Sequence, residues 1–235
     1  MPIAKERSDG RPAGANTLPG SIFAVGDIHG CHRKLERLLG SLPVKREKDT
    51  LVFLGDYLDR GADARRVLDI LTTLSADGYK VIGLMGNHEY LLLEYHKSGD
   101  AALIPYLRKI GLEQTLESYG DVTLSQLADL SFLPAVHRDF LFSLLPFYET
   151  GDYVFVHAGI NPDLPLAGQS LADLCEIREP FLRGRLHLGK TVVFGHTPFA
   201  TPYVAADKIG IDTGAAYGNL LTAVQLPARL FYHAG

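Results

Sequence analysis

The 235-residue chain has no tryptophan, only two methionines and only two cysteines. Cys31 and Cys175 are too few for a disulfide framework and lack the spacing of a zinc knuckle, so reduced thiols are expected. No apolar run reaches the ~18 residues that a membrane helix requires. The first residues, with Lys5, Glu6, Arg7 and Asp9, lack the apolar stretch of a secretory signal. Basic blocks are missing too, and the net charge of −4 argues against a nucleic-acid or anionic-membrane partner. There is no internal repeat, and no dimer seam is legible. These absences predict a cytoplasmic globular protein.

What is present divides unevenly. Residues 1–19 carry Pro2, Gly10, Pro12, Gly14 and Pro19 with little apolar content, and read as a flexible N-terminal arm. Residues 20–235 read as a single domain. Short apolar runs predict strands at Ser21–Val25, Thr50–Leu54, Lys80–Met85, Tyr153–Val156, Thr191–Phe194, Gly210–Ile211, Leu220–Leu226 and Arg229–Tyr232. Helical spacing of leucines predicts helices at His32–Leu42 and Asp63–Ser75, the second capped by Asp63. Others are expected at Glu89–Lys97, Asp100–Lys109, Ser125–Leu130 and Pro134–Leu145. The early alternation of strand and helix implies parallel pairing; the closely spaced C-terminal strands imply antiparallel pairing. The expected class is α/β with mixed β-sheets.

The polar clusters have a common address: each follows directly after an apolar strand. They are Gly26-Asp27-Ile28-His29-Gly30, Gly55-Asp56-Tyr57-Leu58-Asp59-Arg60-Gly61, Gly86-Asn87-His88-Glu89, His157-Ala158-Gly159 and Gly195-His196-Thr197. Groups at the carboxyl ends of strands converge on one crevice in α/β sheets. Carboxylates and imidazoles gathered there need a cation to replace lost solvation. Asp27, His29, Asp56, Asn87, His157 and His196 suffice for two ions that share one carboxylate, with Asp56 as the bridge. Asp27 and His29, two apart on a segment taken as extended, would face the first ion. Asn87, His157 and His196 would complete the second. A mixed nitrogen and oxygen set without thiolate suits Mn²⁺, Fe or Zn²⁺ better than Ca²⁺. Such a pair would acidify a water and clamp the oxygens of an in-line displacement at phosphorus.

Arg60 offers a planar fork for phosphate oxygens. His88, taken as extended and pointing away from Asn87, is the expected general acid, with Asp59 orienting its ring. Two divalent ions and Arg60, less two aspartates and a hydroxide, leave about +2, which matches a phosphomonoester dianion. His32, His96, His137, His187 and His233 are expected to be surface or capping groups.

The five motifs, in this order from Gly26 to Thr197, resemble the phosphoprotein phosphatase branch of the calcineurin-like metallophosphoesterases, in its bacterial serine/threonine type. The resemblance implies a layered α/β/β/α sandwich, two catalytic metals (often Mn²⁺ in bacterial members) and attack without a phospho-enzyme. It implies that Asp27, His29 and Asp56 hold one metal and Asp56, Asn87, His157 and His196 the other. Arg60 and Asn87 would contact phosphate, while His88 with Asp59 would protonate the leaving group. It also implies a second phosphate-binding arginine, for which Arg178 is the first choice and Arg183 and Arg185 the alternatives. Tyr217 would correspond to a cleft tyrosine of eukaryotic members. The Ser-Ala-Pro-Asn-Tyr segment of those members is absent; Asp212-Thr213-Gly214-Ala215 stands in its place. The substrate implied is a phosphorylated protein carrying phosphoserine or phosphothreonine. The alternative is a small phosphoester of the diadenosine-polyphosphate kind, since symmetrical diadenosine-tetraphosphate hydrolases are close relatives. Asp59 and Glu89 favour the protein-phosphatase side, because those hydrolases tend to lack the aspartate and to read Gly-Asn-His-Asp.

Overall fold

The computed structural model describes residues 20–235, and the arm predicted at residues 1–19 lies outside them. Its strands are β1 (Ile22–Val25), β2 (Thr50–Phe53), β3 (Lys80–Gly83), β4 (Phe147–Glu149), β5 (Tyr153–Val156), β6 (Thr191–Phe194), β7 (Tyr203–Val204), β8 (Lys208–Gly210), β9 (Leu221–Leu226) and β10 (Leu230–Ala234). Its helices are α1 (His32–Ser41), α2 (Ala64–Ala76), α3 (Asn87–Ser98), α4 (Ile104–Ile110), α5 (Leu112–Tyr119), α6 (Leu124–Asp129), α7 (Ala135–Phe142), α8 (Leu171–Glu176) and α9 (Glu179–Arg183). The strands form two five-stranded sheets, ordered β10-β9-β1-β2-β3 and β4-β5-β6-β8-β7.

Both sheets are mixed, as the strand spacing predicts for the first: β1, β2 and β3 run parallel, and β9 and β10 close that sheet antiparallel. The second sheet departs from the expectation. Its central strands β5, β6 and β8 are parallel, and only its edges, β4 and β7, are antiparallel. The reason is that the chain from Val156 to Thr191 holds two helices, α8 and α9, that the leucine spacing does not reveal. They supply the crossover that parallel strands need.

The central strands are apolar along their whole length because both of their faces are covered. Ala24, Val52, Leu54 and Leu84 from the first sheet pack against Phe155, Val193 and Ile209 from the second. Phe23, Val25, Leu51 and Phe53 point the other way, against Leu35 and Leu38 of α1 and Val67, Leu68 and Leu71 of α2. Val154, Val156, Val192 and Phe194 pack outward against Leu174 and Phe181 of α8 and α9. The result is a helix/sheet/sheet/helix sandwich. Each of these large side chains contributes roughly 1.5–3 kcal/mol on leaving water.

Helix boundaries follow local chemistry. Asp63 caps α2, its carboxylate accepting from the Arg66 N–H at 2.8 Å, worth about 1 kcal/mol. The single helix expected at Asp100–Lys109 is a 3-10 turn, Ala101–Leu103, followed by α4. The helix expected at Pro134–Leu145 ends at Phe142. Beyond it, Leu145 exchanges backbone hydrogen bonds with Gly83 and Met85, extending the edge of the first sheet.

Candidate metal centre

The carboxyl ends of the parallel strands of both sheets meet at one edge of the sandwich. Val25 of β1 leads to Asp27, Phe53 of β2 to Asp56, and Gly83 of β3 to Asn87. Val156 of β5 leads to His157, and Phe194 of β6 to His196. A sixth strand end, at the strand expected at Gly210–Ile211, delivers an acid the sequence reading did not count: Gly210 of β8 leads to Asp212, which is buried and accepts from the Gly214 N–H at 2.9 Å. The rule that located the other five clusters would have located this one.

The turns that carry these groups are conformationally costly. Among the described residues, seven that are not glycine have positive φ, and His29, Asp56, Asp59, Arg60 and His196 are five of them. Four of those five are Asp or His, types that tolerate the left-handed region better than most. Concentration of such backbone at one place marks a site whose surroundings over-determine it. Gly55, at φ 105°, belongs to the same fold of chain: a Cβ there would lie 2.9 Å from the His157 ring and 2.7 Å from Gly86. Two segments expected to be extended are therefore not. His29 turns left-handed after Asp27, and Asn87 and His88 form the first turn of α3, with Gly86 as its cap. The turns are packed tightly against one another: a Cβ on Gly86 would overlap Asp56 N, and one on Gly195 would overlap Asp27 Oδ1.

Asp56 is the centre of the arrangement. Its Oδ2 lies 3.2 Å from His29 Nε2 and 3.8 Å from His88 Nε2, and its Oδ1 lies 3.4 Å from His157 Nε2. Two triads of ligand-type groups share it, His29–Asp56–His88 and Asp56–His157–His196. Asn87 Oδ1 joins the second triad, 3.1 Å from His157 Nε2 and 2.9 Å from His196 Nδ1. Asp27 stands beside them, buried, its carboxylate accepting from the His196 N–H at 3.0 Å. The first triad thus contains His88 where the sequence reading places Asp27.

The donor chemistry fits divalent cations. Nδ1 of His29 and Nδ1 of His157 each lie 2.8 Å from a backbone carbonyl, of Leu58 and Leu54. Donation there leaves both Nε2 lone pairs facing Asp56, the tautomer a metal ligand requires. His88 Nε2 is buried and has no hydrogen-bond partner among the described residues. Protonation equilibria show the same tension. Burial, then Asp212 and Asp56, push the Asp27 carboxyl well above its ordinary range. Burial also opposes charge on Asp56, but His157, His88 and His29 outweigh it and hold the carboxyl well below. Burial and the neighbouring His157 push His196 down to about 3. Burial opposes charge on the His29 imidazole as well, but Asp56 raises it in turn, so without a cation these buried groups balance their charge only against one another.

The supporting residues are equally specific. Asp59 Oδ2 lies 2.6 Å from His88 Nδ1, and Asp59 Oδ1 accepts from the Thr115 hydroxyl at 2.6 Å. Thr115 of α5 in turn accepts from the Asp59 N–H at 2.8 Å. Glu89, fully buried in the first turn of α3, accepts from the N–H groups of Asp56, Tyr57 and Leu58 at 2.9, 2.9 and 3.1 Å. Burial and Asp56 raise its pKa to about 8. Neither Thr115 nor the clamp made by Glu89 is visible in the sequence; a lone threonine on an unforeseen helix gives no signal.

A cleft of about 400 Å³ opens over the cluster, bordered by Arg60, Arg178, Tyr106 and Tyr217. The guanidinium of Arg60 lies 5.3 Å from the centre of the Tyr217 ring. It also reaches His29 Nε2 at 2.7 Å. Arg178 donates to the Thr197 hydroxyl at 3.2 Å. Arg183 and Arg185 line a different cavity, beside Lys190 and Lys208 at the amino ends of the strands. Arg183 there pairs with Glu179 at 2.5 Å. His137, expected at the surface, is buried between Tyr119 (2.9 Å) and Asp69 (3.0 Å). The packing of α7 on α2 and α5 encloses it. No helix among the described residues is long and apolar enough to cross a membrane.

Similarity to known proteins agrees with this geometry. The chain is 28% identical to a bis(5'-nucleosyl)-tetraphosphatase PrpE (asymmetrical) of Oceanobacillus iheyensis over 234 residues, covering 89% of this chain and 90% of that one. It is 28% identical to the protein of that name from Bacillus subtilis, covering 86% and 89%. Among solved structures, a candidate diadenosine tetraphosphatase superposes with a TM-score of 0.70 at 24% identity, covering 93% and 94%. A protein serine/threonine phosphatase of Saccharomyces cerevisiae superposes with a TM-score of 0.60 at 17% identity, covering 93% and 81%. Residues 20–216, which contain every strand end described above, match the profile of one family throughout, and the chain belongs to the calcineurin-like phosphoesterases.

Proposed function

We propose that this chain hydrolyses dinucleoside polyphosphates, using two divalent cations. The observation that carries the chemistry is the meeting, in one cleft, of a shared-carboxylate ligand cluster with two arginines. The choice of substrate is supported by full-length similarity to asymmetrical bis(5'-nucleosyl)-tetraphosphatases. Asp27, His29, Asp56, Asn87, His157 and His196 would hold the cations. Mn²⁺ suits this donor set, with Fe and Zn²⁺ as alternatives. Bound there, the cations would supply Lewis acidity to the phosphoryl oxygens and bring the pKa of a water from ~15.7 toward ~7.

The chain's own groups do the rest. Arg60 and Arg178 enter the cleft from opposite motifs and pair with phosphoryl oxygens; Arg183 and Arg185 are too remote to share this role. Asn87 orients the reacting phosphate from the first turn of α3. The oxygen of a water that has released one proton to solvent bonds to phosphorus, the bond to the leaving oxygen breaks, and His88 gives that oxygen a proton from Nε2. Asp59, fixed by Thr115, stabilises the His88 imidazolium and holds the ring in place. Glu89 keeps the Asp56–Leu58 turn rigid. In an asymmetrical cleavage the leaving group carries one nucleoside with its phosphates, so the cleft must accommodate more than a single phosphate.

A second reading, hydrolysis of phosphoserine and phosphothreonine in proteins, is favoured by the 2.6 Å contact between His88 and Asp59. A proton donor matters most when the leaving oxygen is strongly basic, as an alkoxide is and a phosphate is not. A panel of diadenosine tetraphosphate, phosphopeptides and an aryl phosphate, each with Mn²⁺, separates the two. The expected result is the highest kcat/KM on the dinucleotide; phosphopeptide turnover higher by orders of magnitude overturns the main reading.

A further inference from the structure

The cleft does not end at Arg60. A second hollow of about 450 Å³ adjoins it, and the two share Arg60, Tyr106, Ile110 and Tyr217. Tyr106 and Tyr217 are 51% and 64% exposed, and of the three exposed aromatics among the described residues only Phe142 lies elsewhere. Large aromatic surface left in water beside a charged cleft marks a binding face. Tyr106, Lys109 and Ile110 share one face of α4 by their three- and four-residue spacing. That face is tied to the phosphate arginine: the Arg60 N–H donates to the Gly111 carbonyl at 3.4 Å. A Cβ on Gly111, whose φ is 117°, would meet Arg60 N at 2.7 Å. Tyr217 therefore faces this guanidinium at 5.3 Å and Tyr106 lines the same hollow, with an ammonium one turn further on α4.

We propose that Tyr106 and Tyr217 form a stacking shelf for the nucleobase of a nucleotide whose phosphate is held at Arg60, with Lys109 meeting its outlying phosphates. Alternation of aromatic and cationic side chains is what nucleotides require. Every base has a face that stacks on an aromatic ring, and phosphates follow at intervals that cations can match. A peptide substrate would place its backbone there instead, and nothing on this wall offers the exposed strand edge or matched carbonyls that a peptide uses. The shelf rests on the substrate class proposed above and makes it specific, because it recognises the nucleoside and not only the phosphate.

The test uses the full chain loaded with Mn²⁺ and turning over an aryl phosphate, with AMP and ribose 5-phosphate as competitors. These differ only by the base. AMP is expected to inhibit with a Ki about tenfold lower, in the range measured for base–aromatic stacking. Tyr106→Ala should bring the two inhibition constants within about twofold of each other, and Tyr106→Phe should restore the gap. The ratio is taken within one preparation, so partial misfolding of a variant does not alter it. Equal inhibition by the two compounds in the unaltered chain overturns the shelf, as does an AMP advantage that survives both Tyr106→Ala and Tyr217→Ala. If the chain fails to cleave diadenosine tetraphosphate while the AMP advantage stands, the proposed reaction is wrong and the shelf is right. Cleavage of the dinucleotide without any AMP advantage removes the shelf and leaves the reaction standing.

Discussion

At the floor of the cleft, Asp27, Asp56, Asn87, His157, His196 and Asp212 each follow a parallel strand, whereas the wall from Tyr106 to Thr115 is carried by two short helices with no strand beneath them. The floor is held many times over: strand ladders fix where each chain turns, and the Glu89 carboxylate ties three consecutive amides. The wall is held by two isolated contacts, the Thr115 hydroxyl on the Asp59 carboxylate and the Arg60 N–H on the Gly111 carbonyl. The comparison teaches that reactivity and selectivity are built on supports of different stiffness. Changes at the floor should be close to all-or-none, and changes on the wall graded.

The sharpest way to break this contrast is at the shared carboxylate. Asp56→Asn keeps the shape and removes the charge that three imidazoles face. Metal content measured by elemental analysis should fall toward zero and kcat by more than ~1,000-fold; a variant that kept both ions would show that the floor is not organised around this group. Next comes His88, which stands between floor and wall. His88→Asn should lower kcat by ~100- to 10,000-fold for esters with basic leaving oxygens. It should cost far less on an activated aryl phosphate, and both ions should remain. Loss of one ion instead would make His88 a ligand, as its place in the triad with His29 and Asp56 allows.

On the wall, Thr115→Val preserves volume but strips the hydroxyl that serves Asp59 twice. A drop in kcat of about tenfold is expected, with a stability loss of ~1–3 kcal/mol from the unpaired groups left behind. Thr115→Ser should restore both, read by initial rates and a urea titration. The smallest effect is expected farthest from the chemistry, at His137. Burial there, opposed by Asp69, leaves its pKa lowered. The unfolded chain therefore takes up that proton more readily than the folded one, and stability falls as pH drops below ~6.5. His137→Gln should flatten this dependence between about pH 7 and 5.5 in urea midpoints, with kcat changed less than twofold. A flat profile already present in the parent would remove His137 from the account.

Sequence reading reached the floor because its rule is positional: an apolar strand, then a ligand-type side chain close beyond its carboxyl end. That rule located the residues at five strand ends, and applied once more it reaches Asp212. It reached the fold class for the same reason, since strands covered on both faces are unbroken apolar runs. It reached only part of the wall, since α4 falls, but for its last residue, within the helix expected at Asp100–Lys109 and α5 was not foreseen. The helices α5, α8 and α9 are short and held by packing, and their apolar spacing is too brief to stand out. The extended geometry expected at His29 and His88 was also wrong, because a periodic pattern carries no information about a single left-handed residue. Thr115 and Tyr106 become meaningful only when distant segments are in contact, which no local window records.

The left-handed turns at His29, Asp56, Asp59, Arg60 and His196 have a practical corollary. Glycine occupies that region without strain, so replacing any of the five relieves roughly 1 kcal/mol of backbone energy even as it removes the side chain. Directed evolution that rewards heat resistance alone would be drawn to these positions and would deliver a sturdier, inert scaffold. Selection for turnover has to be applied in every round if a thermostable enzyme is the goal.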